Sequence, residues 1–70
     1  MKNKFAERLK ELIEERGFTL KEVADGVHAT PMAVSYWARG IKQPTAEKII
    51  ELADFFDVST DFLLGRREDK

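Results

Sequence analysis

A chain of 70 residues, 43% hydrophobic and 36% charged, can close only one modest core, so two domains are excluded and a single small soluble domain is expected. With no cysteine there is neither a disulfide framework nor a thiolate metal site, which leaves helix packing as the source of stability and fits a reducing, bacterial-type cytoplasm. The net charge of −1 excludes a uniformly basic binder of polyanions, but the charge is uneven: residues 1–48 hold nine Lys/Arg against seven Asp/Glu, whereas residues 49–70 hold three against six.

In chain order, Phe5, Leu9, Leu12 and Ile13 recur on one helical face while Glu7, Arg8, Lys10, Glu11, Glu14 and Glu15 fill the rest, which predicts a first helix from about Asn3 to Arg16, stopped by Gly17. Its opening stretch, MKNKFAERLKEL, carries charges where a signal peptide needs an apolar run, and no segment is long and apolar enough to span a membrane. Thr19 and Glu22 form a capping box that starts a short second helix, with Leu20, Val23, Ala24 and Val27 facing inward. Thr30-Pro31 starts a third. The Thr hydroxyl can accept from first-turn amides, and Pro at the first helical position loses an N–H that has no partner there.

On this third helix, TPMAVSYWA, the residues Val34, Trp37 and Ala38 share the inward face, and Met32, Ser35, Tyr36 and Arg39 point the other way. Gly40 ends it, and Ile41-Lys42-Gln43-Pro44 forms a loop. Thr45 caps a fourth helix with Ala46, Ile49, Ile50, Ala53 and Phe56 inward, and Ser59 caps a last short one, TDFLL, stopped by Gly65. The pattern contains no strand-like alternation and no repeat, so the fold class is all-α with five helices.

Catalysis is not expected. One histidine, no HExxH and no glycine-rich phosphate loop leave no constellation to carry a reaction, and the carboxylates sit beside Lys or Arg on helix faces, where a solvated surface explains them. No cofactor and no metal are implied.

Only Val27-His28-Ala29 separates the second and third helices, a connection short enough to hold them at a steep angle. The register TLKEVADGVHATPMAVSYWARGIKQP resembles the helix-turn-helix of the phage-repressor and Cro-like (XRE-type) family of bacterial transcription regulators. The resemblance continues from FAERLKELIEERG through PTAEKIIELADFFDVSTDFLLG, nearly the whole chain, without gaps. It implies a repressor-like DNA-binding domain over residues 1–65, followed by a polar C-terminal tail at 66–70, and a small repressor that binds a palindromic operator in double-stranded DNA as a homodimer. A 70-residue chain that is all of this protein leaves no room for an effector domain, so control is expected from concentration or a partner protein.

In that family the third helix lies in the major groove and its flanks hold phosphates. Carried over, the base-reading positions are Thr30, Pro31, Met32, Ser35 and Tyr36, and the phosphate-holding positions are Thr19, Lys21, Arg39, Lys42 and Gln43, with Leu20 alongside and Lys48 as a further candidate. The chain departs from the family pattern in four places. Leu20 replaces a glutamine. Ile13 and Ala38 together replace a buried Arg–Glu pair, a double loss that leaves no stranded charge. His28 stands in the turn where glycine is usual, and histidine is among the residues that tolerate the left-handed conformation. Finally, Pro31 and Met32 stand where the family commonly has Gln, Arg or Ser.

An exposed Met32 and Tyr36 are open to three readings: plain surface, contact with thymine methyls and base edges, or an anchor for a protein partner in a helix-turn-helix interaction module of the antirepressor or antitoxin type. Trp37 is assigned to the core. Phe55, Phe56, Phe62, Leu63 and Leu64 offer more apolar surface than a short helix can bury, and Phe62 and Leu63 are assigned to a two-fold dimer contact.

Overall fold

The computed structural model describes residues 3–70. Met1 and Lys2, the first two residues of the expected domain, lie outside the described residues. Five helices and no strand are present among the described residues: α1 Lys4–Arg16, α2 Leu20–Gly26, α3 Pro31–Ala38, α4 Ala46–Phe56 and α5 Thr60–Leu63.

Each start is held by the short polar side chain that local chemistry assigns to it. Asn3 Oδ1 accepts from Ala6 N–H (3.1 Å), Thr30 Oγ1 from Ala33 N–H (3.1 Å), Thr45 Oγ1 from Lys48 N–H (3.2 Å) and Ser59 Oγ from Phe62 N–H (3.0 Å). At α2 the capping box is complete: Glu22 N–H donates to Thr19 Oγ1 (3.1 Å) and Thr19 N–H donates to Glu22 Oε1 (2.8 Å). The ends of α1 and α4 turn through left-handed residues, Gly17 (φ 71°) and Asp57 (φ 57°), whose amides close back on the last helical carbonyls.

The core is assembled from every helix. Leu9 and Leu12 of α1, Val23 of α2, Val34 of α3, Leu52 and Phe56 of α4 and Leu63 of α5 are all fully buried, with Phe5, Ile13, Trp37 and Phe62 only slightly less so. Ile13 and Ala38, the apolar substitutes for the family's ion pair, both pack on this core.

Five residues are placed differently from the sequence reading. Leu20 is exposed rather than inward, because it is the first residue of α2 and the apolar stripe leaves the core there. Ala46 is exposed for the same reason in the first turn of α4. Ile50 is 53% exposed, and the inward stripe of α4 instead runs Ile49, Leu52, Ala53 and Phe56, the i, i+3, i+4, i+7 set from which Ile50 is offset by one residue. Phe62 and Leu63 are buried within this chain's own core, at 7% and 0% exposure, because α5 packs against both α1 and α4. The apolar excess assigned to them for a dimer contact is therefore absent at those two positions.

The remaining aromatics also find partners inside the chain. Phe18, Phe55 and Phe56 form a three-ring cluster with centroid separations of 5.0, 5.9 and 5.0 Å and tilted or edge-on planes. The Phe55 ring lies so close over Gly26 that any Cβ there would collide with it, which explains a glycine as the last residue of α2.

Residues 66–70 fold back over α1. The guanidinium of Arg8, the one buried charged group among the described residues, lies 4.2 Å from the Phe62 ring centroid. It donates to the carbonyls of Phe62 (3.2 Å) and Arg67 (3.0 Å) and to Glu68 Oε2 (3.2 Å). Lys70 closes the strap through Glu15 (2.9 Å), and its hydrogen bond holds the Glu15 carboxyl below its ordinary pKa. The Lys70 carbonyl accepts from Ser59 N–H at 2.9 Å.

Candidate nucleic-acid interface

The turn between α2 and α3 is short and fully held. His28 takes φ 57°, the left-handed geometry that the resemblance requires, and Ala29 N–H donates to Ala24 O at 2.9 Å to close the turn. From α4, Lys48 Nζ reaches across to donate to the carbonyls of Val27 (2.7 Å) and His28 (3.1 Å) and to Glu51 Oε2 (3.1 Å). Glu51 Oε1 also meets His28 Nδ1 at 3.2 Å, and the bonds from His28 and then Lys48 hold its carboxyl below the ordinary pKa. Lys48, a candidate phosphate contact by sequence, is thus engaged as a cation at the C-terminal end of α2, where a positive charge complements the orphan carbonyls. Sequence reasoning missed this role. Its one local signal was the Lys48–Glu51 i, i+3 spacing, which does not reveal a partner more than twenty positions earlier.

The structure brings most of the predicted contact residues to the surface around α3. Thr30, Pro31, Met32 and Arg39 are exposed, Ser35 and Tyr36 are half-buried, and the opposite face is anchored by Val34 and Trp37 in the core. Met32 is 64% exposed, the highest value among the exposed large hydrophobic side chains. The Thr30 hydroxyl accepts its capping bond, which leaves its proton free to donate.

Around this face lie the candidate phosphate groups. The hydroxyl of the exposed Thr19 at the start of α2 is occupied as an acceptor but retains a proton to donate. Lys21 pairs with Asp25 at 2.9 Å, both side chains well exposed, a type of contact too weak to withhold the lysine from a stronger anion. Arg39 and Lys42 stand beside Tyr36, each cation 5.5 Å from the ring centroid, and Gln43 is exposed in the following loop. That loop leaves α3 through Gly40 (φ 75°), with the amides of Ile41 and Gly40 closing on the carbonyls of Tyr36 (2.9 Å) and Trp37 (3.2 Å). The arrangement is one convex helix edge of mixed apolar and hydroxyl character, flanked by cations.

Comparison with known proteins agrees with this geometry. A family model described as helix-turn-helix matches residues 9–63, more than half of the chain. The chain belongs to that family, in its XRE or repressor-type branch. Among curated members of the family, it is similar to the HTH-type transcriptional regulator ImmR of Bacillus subtilis (strain 168), 34% identical over 61 residues that cover 87% of this chain and 48% of that protein. It is also similar to the HTH-type transcriptional regulator AnsR of the same organism, 33% identical over 64 residues, covering 91% of this chain and 55% of the relative. The chain thus spans about half the length of the curated relatives it matches.

Among solved structures, a transcriptional regulator from Listeria innocua superposes with a TM-score of 0.86 at 31% identity, covering 100% of this chain and 65% of the other. The P22 c2 repressor, solved in complex with synthetic operator 9T, superposes with a TM-score of 0.85 at 22% identity over 90% of this chain and 96% of its own, a likeness of fold. No helix among the described residues is long and apolar enough to cross a membrane.

Proposed function

We propose that this helix-turn-helix chain is a sequence-specific regulator of transcription, acting in the cytoplasm as a small repressor that binds a near-palindromic operator as a homodimer. The observation that carries the reading is the outward edge of α3, where Thr30 and Met32 are exposed and Ser35 and Tyr36 half-buried, with Arg39 and Lys42 held beside the Tyr36 ring. In this reading Thr30, Pro31, Met32, Ser35 and Tyr36 face base edges, with apolar contact from Pro31 and Met32 to thymine methyls and hydrogen bonds from the three hydroxyls. Thr19, Lys21, Arg39, Lys42 and Gln43 hold phosphates and fix the register without reading sequence. Two copies are invoked because one recognition helix reads only a half-site, and two-fold symmetry in the protein mirrors a palindrome in the DNA.

Selection of bound duplexes from a random pool tests the reading, and Met32→Ala sharpens it. The substitution should cost about 1–3 kcal/mol on the selected site and little on random DNA. Stability should stay within about 0.5 kcal/mol of the parent, since the side chain is largely in solvent. A second reading, an interaction module whose α3 docks on a protein, is favoured by the same exposed methionine, a residue type enriched at protein interfaces. It prevails if Met32→Ala leaves the selected DNA sequence unchanged and instead abolishes binding to a protein partner.

The two-fold contact needs apolar surface other than Phe62 and Leu63. Leu64, 41% exposed directly after them, is the residue we assign to it. Leu63→Asp should unfold the domain, because it buries an unpaired charge at a position of 0% exposure. Leu64→Asp should remain helical by circular dichroism and shift sedimentation from dimer to monomer. A parent protein that sediments as a monomer even on its selected site removes the dimer from the proposal.

A further inference from the structure

We infer that the ring of Tyr36 is a positioning platform for the two phosphate-binding cations, Arg39 and Lys42, and so governs affinity for all DNA sequences alike. The inference rests on the DNA-binding reading and deepens it: the resemblance places Tyr36 among base readers, whereas the geometry gives its ring a different task.

Three observations carry it. The Arg39 guanidinium and the Lys42 ammonium each lie 5.5 Å from the Tyr36 ring centroid, within the range over which the negative face of an aromatic ring attracts a cation. Neither cation has a carboxylate within ion-pair distance among the described residues, a state they share with Lys4, Lys10 and Arg66 but not with Arg8, Arg16, Lys21, Lys48, Arg67 and Lys70. The same tyrosine also holds the backbone that bears Lys42, its carbonyl accepting from the amides of Ile41 (2.9 Å) and Lys42 (3.4 Å).

A carboxylate would neutralise these cations and compete with phosphate. A π face restrains them and leaves their charge intact. Arg and Lys are among the side chains with the largest rotamer entropy, and that freedom is lost when they close on a phosphate. Confining both against one half-buried ring before DNA arrives lowers the loss, and the gain does not depend on which bases lie beneath. The hydroxyl at the far end of the ring remains available for a base edge, so ring and hydroxyl are separable functions of one residue.

The test measures binding of a random duplex and of the selected duplex by fluorescence anisotropy for the parent, Tyr36→Phe, Tyr36→Leu and Tyr36→Gln. The two ring-less variants together guard against a loss peculiar to one side chain, and thermal melts check that each is folded. Both should weaken random DNA by a common factor, about tenfold per subunit, the worth of rotamer freedom already given up by two long side chains, and should weaken the selected duplex by that same factor beyond whatever Tyr36→Phe loses there. Tyr36→Phe should bind random DNA like the parent. Arg39→Ala should cost severalfold less in the Tyr36→Leu background than in the parent, a coupling that an independent structural role would not produce.

A readout without DNA is available from NMR: ring-current shifts on the Arg39 δ and Lys42 ε methylenes in the parent and Tyr36→Phe, absent in Tyr36→Leu. Lack of those shifts in the parent overturns the inference whatever the variants do. Loss of the selected site alone in Tyr36→Leu, or additive effects of Tyr36→Leu and Arg39→Ala, overturns it while leaving the DNA-binding reading in place. A parent protein that binds neither duplex overturns both.

Discussion

Trp37→Ala should unfold the domain or leave it severely loosened, with the helical signal lost or melting at much lower denaturant. The indole is 8% exposed and, with Val34, is the buried side chain that ties α3 to the rest of the molecule. Deleting a buried tryptophan side chain costs about 3–5 kcal/mol through lost transfer energy and the cavity left behind. At roughly 0.05–0.15 kcal/mol per residue, a domain of this size has a total stability of only about 4–10 kcal/mol, so the substitution consumes much or all of it. DNA binding should fail for every sequence, in contrast to Met32→Ala, which acts on the opposite face of the same helix and should leave the melt unchanged. A Trp37→Ala protein that melts within about 1 kcal/mol of the parent would show that α3 is held by something other than its core face.

What could be read in advance follows from the range of the interactions. The starts of α2 to α5 were legible because a Thr or Ser cap bonds to an amide three residues on, and the whole signal lies within four positions, whereas Asn3 was read as the first helical residue of α1 and is its cap. The positive φ of His28 was legible through the family resemblance, which puts glycine at that place in the turn, and the burial of Trp37 from its phase with Val34. Asp57, equally left-handed, went unread because an aspartate at a helix end is also an ordinary surface residue. Phe62 and Leu63 were misplaced because the sequence shows their hydrophobicity but not that α5 packs against α1, more than fifty residues earlier. The same distance hid the Arg8 bonds to Phe62, Arg67 and Glu68, which turn a residue read as helix surface into the anchor of the C-terminal strap.

The cations illustrate the point most sharply, because their number was known and their availability was not. Lys48 looks like a free phosphate contact in the sequence and is committed to the turn carbonyls in the structure, while Arg39 and Lys42 rest on an aromatic ring with no carboxylate beside them among the described residues. Net charge counts all of these alike. A chain with an overall charge of −1 can therefore present a locally cationic edge, since Glu51 compensates a lysine behind the turn and the acidic excess lies in the last 22 residues, outside the helix-turn-helix.

That local edge sets the second large effect, the salt dependence of DNA binding. If Lys21, Arg39 and Lys42 each neutralise one phosphate in both copies of a dimer, about six counterions are displaced, and log K should fall against log salt with a slope of roughly −5. Raising the salt from 50 to 200 mM should then weaken binding about a thousandfold, on random and selected duplexes alike, because phosphate contacts carry no sequence information. Lys21 sets the lower limit, since Asp25 already holds its ammonium at 2.9 Å and part of its counterion release is lost in breaking that pair. Arg39→Ala and Lys42→Ala should each flatten the slope by about two units in a dimer and leave the selected sequence unchanged. Lys48→Met should not flatten it, because that ammonium faces the carbonyls of Val27 and His28 rather than the DNA. Anisotropy titrations across the salt series decide the matter: a parent slope near zero removes the phosphate assignments altogether, and a Lys48→Met slope that falls with the others would place Lys48 on the DNA.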